Sequence, residues 1–221
     1  MALALAGEGA EVCLAARRRE VLEAVAGEVR AAGGTAHVCP ADLTEDGQLR
    51  KLAERVEAEF GGLDILVLCG GAMIHGTVEK ASPADFDLQY RTNLRGHYGL
   101  IQATLPLVRK RQGQIVFINS SAGLRSPAGA GQYAAMQHAL RSIADSLRDE
   151  VNADGIRVLS IYPGRTATPR MEKLFETEGR AYRPELLLQP EDIAAMAVAA
   201  LTLPRTAEVT DISMRPMVKS Y

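Results

Sequence analysis

Ser120 and Tyr133 stand thirteen residues apart, and their placement suggests chemistry more than their types do. Ser120 closes the apolar run Ile115 to Ile118, which reads as a strand. Tyr133 opens the helical period Gln132 to Val151. In an open parallel sheet flanked by helices, the end of a strand and the start of the next helix face one crevice, where ligands bind. A serine hydroxyl there can hold a carbonyl or alcohol oxygen while a phenol exchanges a proton with it. Each residue alone has a structural reading, Ser120 as a strand-end hydroxyl and Tyr133 as helix packing. Together they read as acid–base machinery.

The elements that must position them alternate along the chain. Val12 to Ala16, Thr35 to Cys39, Ile65 to Cys69, Ile115 to Ile118, Ile156 to Ile161 and Val209 to Ile212 read as short apolar strands. Between the first pair, Arg18 to Ala32 is helical, with Val21, Leu22, Val25 and Val29 on one face and Gly33-Gly34 as the stop. Glu45 to Phe60 carries a buried stripe of Leu49, Leu52, Val56 and Phe60, closed by Gly61-Gly62. Ser82-Pro83-Ala84-Asp85 supplies an N-cap, a proline at the first helical position and a capping-box acid. The helix it opens is expected to run to Arg111, bent near Gly96, Gly99 or Pro106. A further helix opens at Pro190-Glu191-Asp192. This order predicts an α/β fold of one domain over residues 1–221, a doubly wound, Rossmann-like parallel sheet with helices on both faces. Met1 to Gly9 reads as the last turns of a helix with no strand before it.

Composition narrows the function. Of 221 residues, 47% are hydrophobic and 24% charged, which is ordinary for a globular domain. Twenty-five Lys and Arg against 27 Asp and Glu leave a net charge of -2, without the basic excess that nucleic-acid binding needs. No apolar run reaches the roughly 18–20 residues of a membrane span, and the N-terminus lacks the basic region of a signal peptide. Cys13, Cys39 and Cys69 are odd in number and lie in or beside strand-like runs. They are expected to be buried reduced thiols in a cytoplasmic protein. No Cys and His spacing suggests a metal site. Arg17-Arg18-Arg19 opens a helix, where cations oppose the macrodipole unless an anion lies near.

At the level of motifs, the chain from Met1 to about Pro216 resembles the short-chain dehydrogenase/reductase family. Ile118-Asn119-Ser120-Ser121-Ala122-Gly123 resembles its serine strand, and Gln132-Tyr133-Ala134-Ala135-Met136-Gln137 its Tyr-x-x-x-Lys segment. Thr92-Asn93-Leu94-Arg95-Gly96 is similar to its asparagine motif and Tyr162-Pro163-Gly164-Arg165-Thr166 to its Pro-Gly segment. Ala41-Asp42-Leu43-Thr44 is similar to its adenine-contacting acid. The resemblance implies Tyr133 as proton donor or acceptor, Ser120 as positioner of the substrate oxygen and Asn93 as support for a bound water. It implies cofactor contacts at Arg17, Arg18, Asp42, Leu43, Gly70, Gly71, Pro163, Gly164 and Thr166. NADP(H) is expected over NAD(H), because arginines follow the first visible strand and no acid ends it. His75, Ser121 and Tyr162 would line the substrate pocket, under an apolar lid from Thr168 to Leu188. A small carbonyl or alcohol substrate and a homodimer or homotetramer complete the expectation.

Three departures accompany these matches. The family's Thr-Gly-x-x-x-Gly-x-Gly loop, whose backbone N–H groups hold the pyrophosphate, is absent from this sequence, so cofactor binding is expected to be weak. Gln137 stands in the place of the active-site lysine, one turn after Tyr133, and a neutral amide cannot lower a phenol pKa of about 10. Its amide could still bond a ribose hydroxyl. Leu68-Cys69-Gly70-Gly71 replaces the family's Asn-Asn-Ala-Gly. Two functions follow: an oxidoreductase with impaired activity, or a catalytically silent relative that binds or dimerises through helices 82–111 and 131–151.

Overall fold

The computed structural model describes residues 1–218. In chain order they form α1 (Ala2–Gly7), β1 (Glu11–Leu14), α2 (Arg19–Ala31), β2 (Thr35–Val38), α3 (Asp46–Phe60), β3 (Ile65–Leu68), α4 (Pro83–Gln89), a π turn (Tyr90–Arg95), α5 (Gly96–Arg111), β4 (Gln114–Ile118), α6 (Gly131–Val151), β5 (Arg157–Pro163), α7 (Pro169–Thr177), α8 (Pro190–Leu201) and β6 (Asp211–Met214). The expected strands and helices are present, with ends moved by one to a few residues.

Every strand pair is parallel. Successive side chains of a strand point to opposite faces, and both faces of the sheet are apolar. Leu66, Leu68, Ile115, Phe117 and Val158 pack against α3, α5 and α6. Val67, Val116, Leu159 and Ile161 pack against Ile193, Ala197 and Leu201 of α8. A sheet buried on both sides explains why its strands read as unbroken hydrophobic runs.

The ladder has one interruption. β1 pairs with β2, and β3 to β6 form a separate four-stranded sheet in sequence order. No ladder joins β1 to β3. Met1, at the start of α1, and Leu5 pack, like Ile65 and Val67 of β3, against the cluster built on Val116, Ile161 and Ala197.

Local rules account for the helix ends. Gly61 terminates α3 at φ +69°, a left-handed conformation that favours glycine. Ser82 caps α4, its Oγ accepting from the Asp85 N–H at 3.1 Å. On α2 the buried residues are Leu22, Ala26 and Val29, whereas Val21 faces solvent. The stripe follows the i, i+4, i+7 spacing through Leu22, and Val21 falls about 100° off it. The long helix is irregular where Tyr90–Arg95 inserts a π turn, and Pro106 sits inside an otherwise regular α5. Cys39 is buried and Cys13 half-buried, their sulfurs 2.9 Å apart. Burial and the neighbouring Cys39 push the Cys13 thiol up to about 12. Cys69 departs from the expected burial: it is exposed, one residue past the end of β3 where strand cover ends.

Gly96 sets the distance between α5 and the loop that follows β2. A Cβ there would lie 2.7 Å from the Leu43 carbonyl oxygen and 2.9 Å from Leu43 Cβ. Gly96→Ala is therefore expected to destabilise the fold by about 1–3 kcal/mol through overpacking. An unchanged midpoint of denaturant unfolding would show that this contact has slack.

Candidate active site

A cavity of about 300 Å³ opens at the C-terminal ends of β3, β4 and β5. Its walls include Gly70, Gly71, Asn93, Ser120, Tyr133, Gln137, Pro163, Gly164 and Thr166, so residues spread over almost 100 positions converge on one cleft. The size falls at the lower end of the range for small-molecule sites.

Ser120 ends β4 in extended backbone, and its hydroxyl accepts a hydrogen bond from the Ala122 N–H at 3.1 Å, which starts a short 3-10 turn. Tyr133 lies in the first turn of α6 and lines the same cleft. Burial pushes the Tyr133 phenol above its ordinary value, while the Ser120 hydroxyl and the Arg170 charge pull the other way without reversing the shift. The phenol is thus protonated at neutral pH. His75 stacks against it at a centroid separation of 6.1 Å, outside the cavity wall, and burial lowers the imidazole pKa.

Gln137 is buried and occupied. Its Nε2 donates to Asn119 Oδ1 at 3.0 Å, and Asn119 Nδ2 donates back to the Gln137 carbonyl at 3.1 Å. Asn119 Oδ1 also accepts from the Ser120 N–H at 2.7 Å. A Cβ on Gly123 would come within 2.8 Å of Asn119 Oδ1 and 3.0 Å of the Gln137 carbonyl, so glycine is what allows this approach. One amide N–H of Gln137 thus ties the end of β4 to α6, while the side chain still lines the cleft.

Asn93 is equally committed. Its Oδ1 accepts from the Ala72 N–H at 2.6 Å and the Thr92 hydroxyl at 2.8 Å, and its Nδ2 donates to the Ala72 carbonyl at 2.7 Å. The side chain braces the Gly70-Gly71-Ala72 loop from within the π turn. Gly71 has φ +153°, and a Cβ would strike Asn93 Oδ1 at 2.8 Å. Glycine is what allows the loop to lie this close to Asn93.

Other expected positions lie apart from the cavity wall. Arg17 and Arg18 are exposed at the start of α2. Asp42 Oδ1 accepts from the Thr44 N–H and hydroxyl, each at 2.9 Å, and those bonds, helped by the Arg17 charge, hold its carboxyl below the usual range. Leu43 packs beneath Gly70 and Gly96. Ser121 faces solvent. Tyr162 departs from the expected pocket: it is 1% exposed within β5, with the Arg141 guanidinium 5.9 Å from its ring centroid. Pleat alternation turns its side chain away from the cleft that Pro163 and Gly164 reach.

Thr168, Arg170 and Met171 line the cleft from the segment expected to cover it, although Arg170 makes that cover less apolar than expected. Cys69, His97 and Asn119 line it without having been singled out as site residues, and for His97 the helical spacing from Asn93, one turn apart, offered a signal. Burial pushes the His97 imidazole down to about 4, so it is neutral. Of the expected lid, the start of α7 reaches the cleft through Thr168, Arg170 and Met171. Phe175 lies beneath the guanidinium carbons of Arg165 and Arg180, at 4.7 and 5.1 Å from its centroid, and both arginines pair with Glu178. Among the described residues, no group of three or more His, Cys, Asp or Glu side chains could hold a metal ion, and no helix is long and apolar enough to cross a membrane.

Residues 1–179 match the family model for short chain dehydrogenase. The chain belongs to that family. It is 29% identical to an uncharacterized oxidoreductase of Staphylococcus aureus over 211 residues, covering 95% of this chain and 88% of that protein. It is 30% identical to glycine betaine reductase of Emericella nidulans, covering 98% of this chain but only 17% of that much longer protein. Among solved structures, a metagenomic short-chain oxidoreductase in complex with NADP superposes with a TM-score of 0.82 at 28% identity, over 99% of this chain and 90% of that one. Actinorhodin polyketide ketoreductase with NADPH superposes at 0.88 and 25% identity, over 96% and 89%. As a short-chain dehydrogenase relative with Rossmann-like architecture, the chain is an oxidoreductase of that type.

The Tyr133 environment makes a spectroscopic prediction. The difference between ultraviolet pH titrations of the wild type and Tyr133→Phe should contain one phenol that ionises above pH 10. Ionisation below pH 9 would mean that the cationic influence outweighs burial.

Proposed function

We propose that this short-chain dehydrogenase relative interconverts a carbonyl compound and its alcohol with NADP(H), at low turnover. The observation that carries the reading is the convergence of Ser120 and Tyr133 on one cleft beside the Gly70-Gly71 backbone. The cleft fits the nicotinamide end of a dinucleotide: Gly70 and Gly71 line one wall, and Pro163, Gly164 and Thr166 form the other. When bound, that cofactor gives or takes the hydride at the substrate carbon.

The protein's own groups handle the oxygen. The Ser120 hydroxyl orients it, and in the reducing direction Tyr133 Oη–H breaks its bond as the oxygen takes the proton. A phenol kept protonated by burial suits that direction. Alcohol oxidation needs the phenolate, so its rate should rise with pH through the neutral range and beyond. Asn93 acts indirectly by fixing the 70–72 loop. Arg17 and Arg18, cations with no acid at the end of β1, support NADP(H) over NAD(H). One feature supports low turnover: the phenol has Gln137 rather than a lysine as its neighbour.

A silent binding module is the second reading. Phe86, Leu88, Tyr90 and Tyr98 are all exposed on the α4 to α5 segment, the helices through which such a module would associate.

Fluorescence titration is expected to show tighter binding of NADPH than of NADH, and equal affinities would contradict the reading of Arg17 and Arg18. Gln137→Lys should place an ammonium one turn from Tyr133, lower its pKa by roughly 1–3 units and raise carbonyl reduction. An unchanged rate together with an unchanged pH profile would refute the account of Tyr133. A stable dimer with no turnover on a broad carbonyl panel would favour the module.

A further inference from the structure

Of the described side chains lining the cleft, Arg170 alone carries a full charge, and no carboxylate lines it. Thr168 caps α7, its hydroxyl accepting from the Met171 N–H at 3.2 Å, and so fixes the turn that carries Arg170. From there the guanidinium crosses to the opposite wall, where Nη2 donates to the Gly71 carbonyl at 2.9 Å. That contact leaves most of its N–H donors unused. Its lid neighbours Arg165 and Arg180 both pair with Glu178, whereas Arg170 has no carboxylate partner among the described residues.

A second observation comes from His97 on the α5 side of the same cleft. It is 2% exposed, and its ring nitrogens face the Asn93 and Gly70 backbone without a hydrogen bond of good geometry. Being neutral, it offers one N–H and one lone pair. The cleft thus holds an unmatched planar cation and a buried polar ring without a good hydrogen bond. A guanidinium fork matches two oxygens of a carboxylate or phosphate, and such charge-assisted pairs are among the stronger polar contacts.

We propose that Arg170 is the anion-recognition residue of this cleft, taking the oxygen pair of a carboxylate or phosphate group on the molecule bound between Gly71 and Thr168. The proposal rests on the oxidoreductase reading for what reacts in the cleft, and it sharpens that reading in one of two ways. Either the substrate is an acidic carbonyl compound whose carboxylate sits on Arg170, or Arg170 holds the dinucleotide's diphosphate. In the second case a side chain from the lid would hold the diphosphate.

The test titrates three probes, acetoacetate, its uncharged methyl ester and inorganic pyrophosphate, into the wild type, Arg170→Gln and Arg170→Lys, followed by NMR shift changes. Arg170→Gln is expected to weaken binding of one anion by about tenfold or more, as the loss of a charge-assisted bond implies. Arg170→Lys, keeping the charge without the fork, should fall between. Loss confined to acetoacetate, with its preference over the methyl ester collapsing towards unity, assigns the substrate carboxylate. Loss confined to pyrophosphate assigns the cofactor. Both anions binding equally to all three proteins, or neither binding the wild type, would overturn the proposal. If Arg170→Gln has an altered far-ultraviolet circular dichroism spectrum, Arg170→Lys decides: anion affinity equal to that of the wild type counts against the fork. NADPH-dependent turnover, measured alongside, separates the two readings. Anion binding that depends on Arg170 without turnover would sink the oxidoreductase proposal and leave this one standing.

Discussion

The hydrogen-bonded pair of Asn119 and Gln137 holds the end of β4 against the second turn of α6, and the geometry of the cleft depends on it. Asn119 Oδ1 accepts both the Gln137 amide and the Ser120 N–H. One oxygen therefore fixes the backbone that carries the serine and the helix that carries the tyrosine. Both amides are buried, so a broken pair would leave unsatisfied groups away from water, which typically costs about 1–3 kcal/mol. Gly123 permits the contact by having no side chain. A position that a lysine would use to act on the phenol here acts on the framework instead.

Cleft electrostatics follow from that exchange. The floor is neutral: Gln137 is an amide, His97 is uncharged, and Tyr133 keeps its proton. Positive charge enters from the lid through Arg170, reaching across from α7 to the Gly71 carbonyl. The segment after β5 is held by a separate device, in which Arg165 and Arg180 lie over Phe175 and converge on Glu178. Burial alone would raise the Glu178 pKa, but the two guanidinium partners outweigh it and keep the carboxylate ionised. Keeping the paired arginines off the cleft wall leaves the unpaired one facing the cleft.

Beneath the cleft, the break between β1 and β3 separates the cleft walls from the arginines after β1. Asn93, in its π turn, stabilises the loop at the end of β3 with two side-chain hydrogen bonds to Ala72, while Thr92 holds the Asn93 amide in place with a third. Leu43 performs the corresponding task for the loop after β2, wedged against Gly70 and Gly96. Close packing makes these contacts intolerant of added volume.

Periodicity and punctuation alone determined the layered architecture. Strands apolar on both faces, Gly61 after α3 and the Ser82 cap are local signals, and they act through nearest-neighbour sterics and hydrogen bonding. The pairing of Ser120 with Tyr133 was legible too, because strand end and helix start are fixed by order in the chain. The placements of Arg170, His97 and Asn119 were not, since their partners lie at Gly71, in the cleft wall and at Gln137, and no local rule sets those distances. The same holds for Val21 and Tyr162, whose faces were settled by which neighbours were available to bury them. What this sequence determined by itself was the order of elements and the two reacting hydroxyls. Tertiary structure decided which charges meet them, because a charge acts through space on whatever the fold brings near.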